Sequence, residues 1–143
     1  MASQLKVDAL TGVATAGSIS VTGEGNSTTT NLQQGLAKAW LNIDQTSTQA
    51  IRDSFNISSI SDSGTGRTLV TVSNAFSNND YLATIALRMQ STVSNTGSSG
   101  GVDTSDGSTS ITTTQHQLSY INTGSTGDAD TPYGGSSIHG DLA

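Results

Sequence analysis

The sequence predicts an all-β chain, an antiparallel β-sandwich or jelly-roll-like module behind an extended N-terminal arm. Three observations predict it. About half of the 143 residues are Ser, Thr, Gly or Asn, a composition suited to pleated strands joined by tight turns. Pro132 is the single proline, so almost every backbone amide is free to enter a ladder. Short runs of period-two alternation, clearest in "YLATIALRM", recur between Gly-rich and Asn-rich turns.

Residues 1–31 read as the arm. Leu5/Val7 and Ile19/Val21 form two short alternating segments separated by Gly-containing turns. Neither has enough apolar surface to stand alone, so the arm is expected to lie against something else. Leu5, Val7, Ile19 and Val21 are the candidate particle-docking residues of that arm.

Residues 32–143 read as the folding module. "LQQGLAKAW" is ambiguous, because Leu32, Leu36, Ala39 and Trp40 keep helical spacing after Asn31 while Gly35 weakens a helix by about 1 kcal/mol. Leu41 and Ile43 then alternate as a strand. "AIRDSFNIS" predicts one apolar row through Ile51, Phe55 and Ile57, interrupted by the carboxylate of Asp53. If buried, Asp53 would need a partner such as Arg52 of a neighbour, Arg88 or nearby turn amides. "SDSGTGRT" is a turn and "TLVTVS" a near-continuous strand. In "YLATIALRM", Tyr81, Ala83, Ile85, Leu87 and Met89 share a face. Residues 90–114 read as a long polar loop or an extended hairpin, with disorder an equal reading. "QHQLSYIN" resumes alternation, "TGSTGDADTPYGG" is a turn-rich loop, and "SSIHGDLA" supplies a last short strand.

The chemistry implied is sparse. A formal charge of −6 and a pI near 4.3 give nucleic acid or an anionic membrane nothing to pair with. Without cysteine, disulfides and thiolate metal sites are excluded. No apolar run approaches the length of a membrane span, and the first residues lack a signal-peptide layout. The mature chain is therefore expected to begin at or beside Met1 and to be made in a cytoplasm.

Catalytic patterns occur in letters without their context. Gly97 to Gly101 spells G-x-S-x-G, but no strand-turn-helix surrounds it. His116 and His139 read better as strand histidines than as members of a triad. Asp103, Asp106, Asp128 and Asp130 lie in Gly-rich loops that could offer oxygens to calcium, yet no complete calcium loop is spelled and the only Glu is Glu24. Such aspartates more often make Asx-turns. No catalytic residue, metal or cofactor is expected.

Four pieces of the chain, "KAW-N" at Lys38 to Asn42, "IRDSFNISSI-D-GTG" at Ile51 to Gly66, "SNAFSNNDY" at Ser73 to Tyr81 and "HGD" at His139 to Asp141, resemble a module found near the C-termini of tail-fibre-like and other virion proteins of tailed bacteriophages, especially marine ones. "MASQLKVDAL" also looks like the start of many such proteins. The resemblance covers about Leu36 to Ala143. It implies a non-enzymatic, β-rich structural protein on the virion surface, commonly trimeric, as a tail fibre or a head decoration. Expected partners are further copies of the chain, capsid or tail proteins, and a host-surface glycan or protein, with no nucleic acid and no membrane insertion; its place is the virion, made in the host bacterial cytoplasm. The alternative is a glycan-binding β module acting as an adhesin. Its candidate surface contacts are Tyr120, Tyr133, Asp128 and Asp130, the aromatics and carboxylates nearest to polar loops.

Overall fold

The computed structural model describes residues 4–12, 19–23, 28–87, 98–102, 111–122 and 127–142. Backbone contacts divide the chain into two units, Met1–Leu36 and Ala37–Ala143.

In the first unit β1 (Ser20–Thr22) pairs antiparallel with β2 (Thr29–Asn31), and one short turn of helix, α1 (Leu32–Gly35), follows. The Leu32 amide closes the hairpin by donating to the Ile19 carbonyl at 2.9 Å. Val21 is exposed on β1 while Ile19, just before it, is half-buried. The expected alternation at Leu5/Val7 does not become a strand. Residues 4–12 hold no ladder, and Leu5, Val7 and Leu10 are exposed. Three alternating residues cannot hold extended structure without a paired neighbour.

The second unit is the β-sandwich. One sheet runs β4 (Ala50–Phe55), β3 (Ala39–Asp44), β11 (Gly134–His139), β7 (Leu82–Leu87). The other runs β10 (Gly127–Asp128), β9 (Gln115–Asn122), β6 (Arg67–Val72), β5 (Ile57–Gly64), with β8 (Ser98–Val102) on the free side of β9. Every pairing is antiparallel. Of the expected polar stretch 90–114, residues 98–102 are thus strand; Asp103, Asp106, Met89 and Arg88 lie outside the described residues.

β3 and β6 show how alternation becomes burial. In β3, Ala39, Leu41 and Ile43 are buried and Trp40 and Asn42 face outward; in β6, Thr68, Val70 and Val72 point in. Two buried clusters result: Ala39, Val72, Phe76, Tyr81 and Ile138, and Leu41, Ile43, Val70, Leu118 and Tyr120. Each buried Leu, Ile or Val contributes about 1.5–3 kcal/mol relative to exposure.

The single apolar row expected through Ile51, Phe55 and Ile57 is corrected. Asn56 has φ 57°, a left-handed conformation that Asn tolerates better than most residues. The chain turns there, leaving one sheet at Phe55 and entering the other at Ile57. β4 is an edge strand, and its Ile51, Asp53 and Phe55 are exposed. Asp53 accepts a hydrogen bond from the Ser54 amide at 2.9 Å, a local arrangement at the surface rather than a buried anchor.

Four separated stretches meet around that corner. The Asn56 side chain donates to the Lys38 carbonyl at 3.0 Å and accepts from the Asn74 amide at 2.8 Å. The Ser73 amide donates to the Asn56 carbonyl, and the Ser77 amide to the Asp141 carbonyl. Phe76 stacks on Tyr81 with ring centroids 4.5 Å apart. A Cβ at Gly140 would lie 2.7 Å from the Tyr81 Cβ, so only glycine lets the chain end pass there.

Candidate functional site

Ionisable groups are the first place to look for chemistry, and in this module they are used by the fold. His116 is fully buried on β9, with its Nε2 3.4 Å from the Ser136 hydroxyl, the Tyr81 ring edge-on at 6.4 Å and Nδ1 without a hydrogen-bond partner. Burial lowers its pKa to about 4, keeping the ring neutral. His139 sits 3.4 Å from the Ser137 hydroxyl. Tyr81 is pushed up to about 12 by burial while its hydroxyl donates to the carbonyls of Thr112 and Gln115. Ser98 to Gly101, the described part of the G-x-S-x-G pattern, lies within β8 rather than on an elbow.

One of the four expected surface contacts, Tyr120, is corrected, and the two aspartates also make bonds within the fold. Tyr120 is 2% exposed, because β9 is flanked on both sides and turns that residue into the core. Burial raises its pKa, opposed weakly by the nearby Gly135 amide. The hydroxyl ends against Gly134 without hydrogen-bond geometry to any partner. Asp128 pairs with the Arg67 Nε at 2.8 Å, and Asp130 accepts from the Gly66 amide at 2.7 Å. Both carboxylates fasten the loop before β11 to the turn between β5 and β6. Among the described residues no three His, Asp or Glu side chains group to hold a metal ion.

Tyr133 reaches the surface, 38% exposed, as Asp130 does. Arg52 stacks on its ring, with the guanidinium carbon 4.6 Å from the centroid, and is held by the Asp44 carboxylate at 2.5 Å and the Pro132 carbonyl at 3.0 Å. Asp44 is held in turn by the hydroxyl and amide of Thr46, which together with Arg52 lower its pKa. Arg52 occupies this place because the β3–β4 register slips between Asn42 and Ile43, giving β4 one extra residue.

Beside Tyr133 lies a groove of about 600 Å³ across the outer face of β3, β11 and β7. Its floor is Gly134 and Gly135, paired with Ile43 and Asn42 on one side and Leu87 and Ala86 on the other. Glycine is required at 135, where a Cβ would lie 2.5 Å from the Leu41 carbonyl oxygen. Asn42, Thr84 and Ser137 rise around that floor, and Tyr133 lines it as an aromatic wall. Beyond Ser137 the register brings Trp40, then Phe55, onto the same face, both partly exposed. Among the described residues none of the groove-lining side chains is charged.

No known protein family, characterised protein or solved structure matches this chain. Apart from Tyr133, the groove residues were not singled out by sequence reasoning, since Asn42, Thr84 and Ser137 sit on three strands far apart in the chain and each reads locally as an ordinary solvent-facing position. The one signal available was the Gly134-Gly135 pair, which a strand tolerates only where another backbone comes close.

Proposed function

We propose that this chain is a non-enzymatic structural protein of a tailed-bacteriophage virion, displayed on the particle surface as a tail fibre or head decoration and assembled as a homotrimer. One observation carries the reading. The four sequence pieces that resemble the virion module are distant in the chain, yet they close on one another around Asn56: Lys38 and Asn74 through its side chain, Ser77 through Asp141, and Phe76 through Tyr81 and Gly140. A set of residues that jointly builds one sandwich corner suits a single folding module, which supports the reading.

Two further features support it. The exposed apolar residues Leu5, Val7, Leu10 and Val21 of the first unit suit an arm that gains its burial on another protein. Asp44 is paired with Arg52 and Asp128 with Arg67 within the module, which suits a scaffold rather than a catalyst.

The test is co-sedimentation. Antibody to the recombinant chain is used to follow it through density-gradient fractions of particles from a culture producing the sequence. The chain is expected in the particle band in fixed stoichiometry, with tens of copies for a fibre and hundreds for a decoration protein. Recovery only in the particle-free fraction would overturn the proposal, and light scattering of the purified chain at one or two times 14.5 kDa would overturn its trimeric part.

A further inference from the structure

We propose that the groove over Gly134 and Gly135 binds a neutral saccharide. The inference deepens the reading of an outward-displayed module and takes its biological setting from it. A sugar ring offers apolar C–H faces and a rim of hydroxyls, so its site needs a fixed aromatic or apolar wall and uncharged hydrogen-bonding side chains. The groove supplies both. Asn42 offers two donors and an acceptor, and the Thr84 and Ser137 hydroxyls each donate and accept. Among the described residues the side chains of Asn42 and Thr84 have no hydrogen-bond partner, so a ligand breaks no contact there to reach them.

The wall is pre-positioned. Tyr133 is stacked against Arg52, which the Asp44 carboxylate and Pro132 carbonyl hold, so little ordering cost remains when a ring packs on it. The volume of about 600 Å³ falls in the range of small-ligand sites.

Charge chooses among sugars. With no charged side chain among the described residues lining the groove and a net charge of −6 on the chain, an acidic or sulfated glycan would bring an anion to an acidic protein. A second copy of the chain is the rival occupant, because β7 is an uncharged edge strand beside the groove. The free hydrogen-bonding groups on the floor favour the saccharide, since strand pairing would use the backbone edge and leave Asn42 unserved.

The experiment is a titration of the full-length, nitrogen-15-labelled chain with methyl glycosides of glucose, galactose, mannose and N-acetylglucosamine, their neutral tetrasaccharides, and sialyllactose as the acidic control. Amide shifts are expected at Asn42, Thr84, Gly135 and Ser137 with a neutral probe, and Asn42→Ala and Thr84→Val should each weaken binding about fivefold, the equivalent of one hydrogen bond. Both variants should keep the wild-type denaturation midpoint, as these side chains hold nothing in the fold. No shift with any neutral probe up to about 50 mM, shifts confined elsewhere, preference for sialyllactose, or unchanged affinity in both variants would each overturn the proposal. Shifts at the same amides on raising protein concentration without sugar would also overturn it, in favour of a second copy. Failure of the titration with particle co-sedimentation intact rejects the saccharide site alone; the reverse result rejects the virion reading and leaves a saccharide-binding module.

Discussion

Acidification from pH 7 to pH 5 should cost the sandwich about 2 kcal/mol through the single residue His116. Its ring is completely buried against Tyr81 and Ser136, and burial lowers its pKa from 6.5 to about 4. Between those values the unfolded chain takes up a proton that the folded chain refuses. The unfolded state then binds more protons, so stability falls as pH falls, beginning near 6.5 and reaching about 3 kcal/mol by pH 4. For a domain whose total stability is about 5–15 kcal/mol that is a large share. The assay is the urea midpoint at half-unit steps from pH 7.5 to 4.5, where a loss of 2 kcal/mol lowers the midpoint by about 1 M. His116→Gln, which cannot titrate, should abolish the slope whatever its own stability. A flat wild-type profile, or the same slope in the variant, would refute the burial argument. Below pH 4 a separate loss begins as Asp44 protonates, since its folded pKa is depressed chiefly by the Thr46 hydroxyl; that part should survive in His116→Gln.

Two further perturbations address the corner and the turn. Asn56→Ala should cost about 2–3 kcal/mol by removing the bonds to Lys38 and Asn74 and placing Ala at φ 57°, whereas Asn56→Gly should cost only the hydrogen-bonding share of about 1–2 kcal/mol; equal losses in denaturation midpoints would show that the backbone conformation carries no strain. Gly66→Ala should cost about 2–4 kcal/mol, because φ is 70° and a Cβ would meet the Tyr120 carbonyl oxygen at 2.6 Å and the Ala129 backbone nitrogen at 2.7 Å; a midpoint within error of wild type would show that β6, β9 and the Ala129 segment separate easily there.

The ambiguous stretch from Leu32 to Trp40 shows where local reading stops. Both of its readings hold in part: Leu32–Gly35 forms one helical turn, and Ala39 opens a strand. Helical spacing at Leu36, Ala39 and Trp40 was coincidental, because Ala39 is fixed by pairing with Ile138 near the other end of the module. The same limit applies to aromatics. Tyr120 and Tyr133 stand beside similar polar loops, yet one is core and the other surface, since β9 is flanked on both of its edges and Tyr133 precedes the first residue of β11.

The sequence by itself determined the all-β class, the stretches that become β3, β6, β7 and β9, and the turns around Gly64 and Gly66, because period-two alternation and positive φ are properties of a few consecutive residues. Tertiary structure alone decided that the C-terminal strand enters between β3 and β7 rather than at an edge, that the chain changes sheets at Asn56, and that Asn42, Thr84 and Ser137 surround one groove. Alternation states that a strand has two unlike faces; it does not state which partner covers each. That choice is made by backbone pairing between residues as distant as Asn42 and Gly135, and only the folded chain contains it.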